Sequence, residues 1–327
     1  MSALIKGLKI SWPETRARSL QYLQKATDDP IIHAVKSRMY LWRRQHEEAI
    51  LELERGLALD PNDPVCHLYM GYALTLAGKP KDGVEFIKKG MRLDPHNLSR
   101  YLIFLGVAHY YMGDLEEAVS LVEKAFRLNP ENAPSWAAWL ASFYASVGRD
   151  QEARSTIEAT KTEATRIAGP GVSPFSLRFI MNSIPFKERA VAERVANGLL
   201  KAGVPPAKIH GGYFPAFKEN QLTGEEIKRL LFGSTINGYT VYPQQFWNNY
   251  KKNGECTWQG PPFMGWPGSD IGKSRINGDT ICWQYQKRFW GIEYCGTVFR
   301  YPGGTYEGKD EYFWCSDFGF WIFSVER

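Results

Sequence analysis

A chain of 327 residues with 44% hydrophobic and 23% charged residues lies near the globular average, which points to neither a disordered chain nor a membrane protein. No run of about 18 apolar residues occurs, so no membrane insertion is expected, and the length exceeds what one hydrophobic core organises, so two domains are expected. The formal charge of +5 comes from 40 basic residues interleaved with 35 acidic ones, never as a Lys/Arg block, so nothing points to nucleic acid.

The opening MSALIKGLKISWPETRARS lacks the apolar core of a secretory signal, so a cytoplasmic location is expected. A helix is expected at about 14 to 27. Three phrases then recur: LALDPND at 57–63, MRLDPHN at 91–97 and FRLNPEN at 126–132, with Pro61, Pro95 and Pro130 spaced by 34 and 35. Proline has no amide hydrogen and cannot continue a helix, so each phrase closes one unit. Gly78, Gly113 and Gly148, spaced by 35, break three units into helix pairs. Small residues fall where paired helices must approach: Gly71 and Gly106 in first helices, and Ala49, Ala118 and Ala153 early in second ones. Tyr40, Leu74, Phe86, Leu121 and Tyr144 supply the apolar face between them.

These phased residues resemble the tetratricopeptide repeat, with units at about 30–63, 64–97, 99–132 and 134–163 in a region spanning 1–163. Unit one departs from the pattern, with Ser37 and Arg44 where glycines are usual, and unit four lacks its closing proline. The resemblance implies a stacked α-helical solenoid with a concave groove lined by the first helix of each unit. Carried over by position, the groove comprises Arg38, Trp42, Leu68, Tyr72, Arg100, Val107, Tyr110, Tyr111 and Ser142. Aromatics with two arginines and no carboxylate suit a peptide or partner domain bearing an acidic side chain or chain terminus. The Lys/Asn carboxylate clamp of the chaperone-binding members is absent, so a chaperone tail is not the expected ligand.

After unit four, GPGVSPF at 169–175 breaks the pattern, and PFKERAVAERVANGLLKAG at 185–203 returns to helix. Residues 164–208 are expected to form a helical cap over the last repeat, since an open end of the stack would leave apolar surface in water. From 209 to 327 the composition changes, with seven of the eleven tryptophans and four of the five cysteines. A leading helix at LTGEEIKRLLFG carries a capping box, Thr223 with Glu226, and stops at Gly233. Short aromatic and β-branched runs then alternate with Asn-Gly pairs at 237, 253 and 277, the pattern of a small antiparallel sheet or barrel. The expected class is therefore a multidomain α+β protein, a helical repeat solenoid followed by an aromatic-rich, barrel-like β-domain.

In GDTICWQYQKRFWGIEYCGTVFR, pairing Cys282 with Cys295 across an antiparallel ladder sets Trp283 against Tyr294, Tyr285 against Ile292 and Ile281 against Gly296, with a loop near 287–290. That register suits either a disulfide or two reduced, buried thiols. Cys256 and Cys315 are a conceivable second pair, and Cys66 is read as core. With no Cys-x-x-Cys and no nearby His, no metal is expected. An oxidised hairpin would instead fit a periplasmic location.

Several C-terminal phrases, among them PFKERAVAERVANGLLKAGVP, FKENQLTGEEIKRLLFG, YCGTVFRYPGGTYEGKDEY and SDFGFWIFS, resemble in order the tetratricopeptide tail of bacterial class III adenylate/guanylate cyclases. That resemblance implies a regulatory or sensory tail without the cyclase domain, since no phosphate-cradling loop is present. DFG at 317–319 is read as a strand turn, HEE at 46–48 as a helix start, and no nucleophile elbow occurs, so neither an enzyme nor a cofactor is expected. Three functions follow as expectations: a peptide-binding adaptor, a cyclase-related tail, or a β-domain binding a small ligand on Trp247, Trp258, Trp266, Trp290 and Trp314.

Overall fold

The structure, a computed structural model, describes residues 28–130, 133–168, 177–205, 216–240, 245–261, 267–306, 309–317 and 319–326, so the helix expected at about 14 to 27 lies outside it. Two compact units form, one of Asp28–Phe217 and one containing Lys218–Arg327.

The first unit is a row of helix pairs: α1 Pro30–Trp42 with α2 His46–Leu59, α3 Pro64–Leu76 with α4 Pro80–Leu93, α5 Leu98–Met112 with α6 Leu115–Leu128, and α7 Ala133–Ser146 with α8 Asp150–Ala168. Prolines open α1, α3 and α4, where a missing N–H costs nothing, and Asp29 and Asp63 accept from Ile31 N and Cys66 N to cap the first turns. The turn between paired helices needs a left-handed residue, supplied by Gly78, Gly113 and Gly148. Unit one puts Arg44 there instead, at φ 64°, held by a bond from its Nη2 to Asn182 O at 2.6 Å. Gly71 is required by contact, because a Cβ there would run into Ile87 and lie 2.6 Å from Gly83 O.

The segment after unit four supplies two more helices. These are α9, Leu177–Ser183, and α10, Arg189–Lys201; α10 packs on α7 and α8 of unit four, and the stretch leading into it reaches the inter-helix turns of units one and two. Gly198 lies against Ser142 of unit four, the Arg194 guanidinium sits 4.6 Å over the Tyr110 ring of unit three, and Glu188 meets Gly78 of unit two. At unit one, Pro185 O accepts from His46 Nε2 at 2.7 Å, and Lys187 pairs with Glu47. The cause is an amphipathic match. Val191, Ala192, Val195, Ala196 and Leu199 make one apolar stripe on α10 and share a single core with Leu41, Leu76, Tyr110 and Trp139.

In the second unit, α11 Gly224–Leu231 has both hydrogen bonds of the capping box, and Gly233 follows it at φ 89°. Eight strands, β1 Thr235–Thr240, β2 Gln245–Tyr250, β3 Glu255–Gln259, β4 Ser269–Asn277, β5 Thr280–Tyr285, β6 Tyr294–Tyr306, β7 Lys309–Ser316 and β8 Gly319–Glu326, pair antiparallel in chain order, and β8 closes on β1. Alternation turns Phe246, Asn248 and Tyr250 of β2 inward and leaves Trp247 exposed. The Asn-Gly pair at 237 is not a turn, as read from sequence, but lies inside β1. Gly238 is there because a Cβ would strike Ile322 O and crowd Phe323.

Cys282 stands opposite Cys295, with Ile281 opposite Gly296 and Trp283 opposite Tyr294, and the two sulfurs are bonded. The ladder ends there, because a 3-10 turn at Arg288–Gly291 intervenes before Tyr285 and Ile292 can pair. Cys256 and Cys315 do not form a second bridge, since β3 and β7 are not neighbours in the barrel. Burial pushes the Cys66 thiol up to about 12 and the Cys256 thiol up to about 11, so neither supplies a thiolate near neutrality. Alkylation of the unfolded, unreduced chain is therefore expected to label three cysteines, and reduction to raise the count to the full five. Five labels before reduction would exclude the staple.

Candidate functional site

The structure divides the nine residues assigned to the groove from sequence. Leu68, Val107, Tyr110, Tyr111 and Ser142 are buried and line no open surface. Leu68 packs with Val84, Ile87 and Tyr101 between paired helices. Tyr110 stacks on Phe143 at 4.4 Å, and its hydroxyl bonds Ser142 Oγ at 3.1 Å and Ser146 Oγ at 2.9 Å. Burial raises the Tyr111 phenol well above its ordinary range, consistent with a side chain sealed beneath the returning segment. Leu68 is enclosed by its own helix pair, whereas α10 covers Tyr110 through Arg194 and Ser142 through Gly198.

Arg38, Trp42, Tyr72 and Arg100 remain partly exposed, and they gather around a residue that the sequence reading passed over. Tyr69 lies 31 residues from each arginine. Its hydroxyl accepts from Arg38 Nη1 at 3.3 Å and Arg100 Nη2 at 2.6 Å, and both guanidinium carbons lie 5.3 Å from its ring centre. Three consecutive first helices thus present one aligned row. The available signal was that equal spacing, read one helical turn earlier than Tyr72.

A floor of rings supports the row. Tyr72 meets Phe104 edge-on at 4.8 Å, Tyr69 meets Phe104 at 6.3 Å, and Phe104 meets Trp136 at 5.1 Å. Arg38 also lies 5.4 Å over Trp42. Among the described residues neither Arg38 nor Arg100 forms an ion pair with a carboxylate. Each guanidinium carries five donors and gives one to the phenol, so two fixed cations face a single neutral group. An arriving carboxylate would find forked donors already aligned on an aromatic surface.

The clusters around His33 and around Glu293 are internally satisfied. His33 bonds Glu52 at 2.8 Å and Asp28 at 3.1 Å, and Arg55 completes the group on Glu52. Glu293 approaches both sulfurs of the disulfide, yet its carboxylate takes a two-bond fork from Arg275 at 2.8 Å, and bonded sulfurs are not thiolate ligands. Asp317 begins the β7–β8 turn and accepts from Cys295 N at 3.1 Å, so the DFG phrase serves the hairpin. Of the five tryptophans assigned to stacking, Trp258 and Trp314 are buried inside the barrel, whereas Trp266 and the Trp290 side chain lie outside the described residues. Among the described residues no helix is long and apolar enough to cross a membrane.

Residues 99–132 match the family model of the tetratricopeptide repeat. Solved structures with similar folds include a thermophilic repeat protein of Thermus thermophilus, 18% identical over 55% of this chain and 86% of that one, with a TM-score of 0.40. The first tetratricopeptide domain of human RPAP3 is 22% identical over 32% of this chain and 80% of that one, with a TM-score of 0.30. YrrB, described as a tetratricopeptide protein with an unusual peptide-binding site, is 18% identical over 56% of this chain and 90% of that one, with a TM-score of 0.33. No curated protein matches the chain. The described residues form a helical solenoid, one repeat of which matches the tetratricopeptide model, followed by an eight-stranded antiparallel barrel.

Proposed function

We propose that the solenoid is a non-catalytic scaffold that captures a protein or peptide partner through an acidic side chain or terminal carboxylate seated between Arg38 and Arg100. The observation that carries this reading is the convergence of two guanidinium groups on Tyr69 above an aromatic floor, with no carboxylate partner among the described residues. Concave repeat surfaces suit such capture. Because α10 fills the face near Tyr110 and Ser142, the docking region is the stretch contributed by α1, α3 and α5.

Charge-assisted hydrogen bonds contribute about 1.5–3 kcal/mol each. Arg38→Glu and Arg100→Glu are therefore each expected to weaken capture of acidic peptides, selected from a random library against the intact chain, by about 10- to 100-fold. Tyr69→Phe removes only the shared acceptor and is expected to change affinity while leaving thermal unfolding near that of the parent. Tyr72→Ala is a poor probe, since Tyr72 packs on Phe104 and its loss would confound binding with stability. Full capture by the double arginine variant would remove this surface from the account.

The cyclase-tail resemblance gives a second, narrower reading in which the partner is a cyclase. Addition of the chain to a bacterial class III cyclase should then change its rate; a flat response across concentration would end that version and leave the scaffold reading intact.

A further inference from the structure

We infer that the Arg38–Tyr69–Arg100 row selects a phosphate monoester, so that the partner it captures is a peptide carrying a phosphorylated side chain. This deepens the docking surface proposed above and rests on it. Both guanidinium groups bond the same phenol oxygen, Arg38 Nη1 at 3.3 Å and Arg100 Nη2 at 2.6 Å, so the two nitrogens lie no farther apart than those bonds laid end to end. One anion can therefore touch both. Tyr69 accepts twice through its oxygen, which leaves its own O–H as a third donor at the same point.

Like charges this close repel, and an acid normally offsets them. Elsewhere in the solenoid Arg55 meets Glu52 at 2.6 Å, and Arg149 meets Glu123 at 3.0 Å and Glu152 at 2.9 Å. Among the described residues no carboxylate does this for Arg38 or Arg100, and both side chains are partly exposed. A single carboxylate from a partner would leave one of the two charges uncancelled. A phosphate monoester carries about −1.5 to −2 at neutral pH and offers three oxygens to forked donors from either side. Its charge and its acceptors both match the pair.

The row is also longer than a free phosphate needs. It begins at Arg38 on α1, passes Tyr69 and Tyr72 on α3 and Arg100 and Phe104 on α5, and ends at Trp136 on α7, 5.1 Å from the Phe104 ring. Tyr72 and Trp136 keep part of their rings exposed, so residues flanking the phosphate meet an aromatic surface beside the cations. Arginine clusters next to such a surface are a recurring way to hold a phosphorylated segment of chain.

The probes are three mixed-sequence peptide pools, alike except for a fixed central phosphoserine, glutamate or serine, captured on the immobilised full chain with inorganic phosphate as competitor. The phosphoserine pool is expected to be retained about tenfold more than the glutamate pool, and the serine pool least. Arg38→Gln and Arg100→Gln should each lower retention of the phosphoserine pool about tenfold, to near the glutamate level. Arg100→Lys, which keeps the charge and loses the fork, is the substitute if a glutamine variant loses the parent circular dichroism, and it too should lower retention. Equal retention of the phosphoserine and glutamate pools would overturn the phosphate inference and leave the carboxylate reading of this surface standing. Retention of neither pool would remove both. Undiminished retention of the phosphoserine pool by the arginine variants, or inorganic phosphate binding as tightly as the peptides, would overturn the phosphopeptide as occupant.

Discussion

Replacing Gly198 by alanine will lower the stability of the solenoid by about 2 kcal/mol, and valine will lower it by about 3 kcal/mol or more. A Cβ at this position lies 2.8 Å from Ser142 Oγ and 2.9 Å from both Ser142 Cα and Ser142 O. The last two are backbone atoms and cannot rotate away. Either α10 lifts from α7 or the fourth unit shifts, and both open the core shared by Val195, Leu199 and Trp139. For a unit of this size the valine change corresponds to a fall of roughly 10 °C in midpoint. Ser142→Gly is not expected to rescue it, because the backbone contacts remain. Thermal unfolding followed by helical circular dichroism decides the matter. An unchanged midpoint in Gly198→Ala would show that α10 does not rest on α7.

Acid will loosen the other end of the same segment. His46 is 4% exposed, and burial drives its imidazole down to about 4 from the ordinary 6.5. Its Nε2 donates to Pro185 O at 2.7 Å, whereas Arg44 O lies 3.1 Å from Nδ1. Two carbonyls would suit an imidazolium, but desolvation outweighs them, aided by the nearby charge of Arg44 and, more weakly, Lys187, while Glu47 opposes. Between pH 6.5 and about 4 the unfolded chain therefore binds a proton that the folded chain refuses, so stability falls as pH drops through that window. At about 1.4 kcal/mol per unit, the full effect is roughly 3 kcal/mol, and it is absent above the upper limit. His46→Gln should lack this slope. Denaturant midpoints for parent and variant across the window provide the comparison, and parallel profiles would assign the acid response to other groups.

The local rules of the solenoid were legible residue by residue. Proline stops at 61, 95 and 130 and glycine turns at 78, 113 and 148 act within a few bonds, so composition and spacing reveal them. Even the anomaly at Arg44 was visible, although not the Asn182 carbonyl that holds it. The fate of the groove was not legible. Which residues an amphipathic helix covers depends on the apolar surface it matches, and periodicity reports only that α10 has an apolar stripe. Tyr69 was missed for a related reason: its role exists only when three helices are aligned. In the second unit the Cys282 register followed from strand alternation, while closure of β8 on β1 joins residues about ninety positions apart and leaves no local trace. Asn237-Gly238 carried a turn signature and lies in a strand because barrel crowding selects the glycine.

Closure of β8 on β1 also sets an order of events during synthesis. Helix pairs of the solenoid bury their surfaces against immediate neighbours and can fold as they leave the ribosome. The barrel has no such option, because β1 waits for Trp321–Glu326 to be translated before its second edge is satisfied. Until then two open edges bracket a sheet rich in tryptophan and phenylalanine, the arrangement most prone to pairing with a neighbouring nascent chain. Translation arrested before β8 would therefore leave a folded solenoid tethered to an adhesive sheet, because this eight-residue strand is what pairs the open edges of β1 and β7.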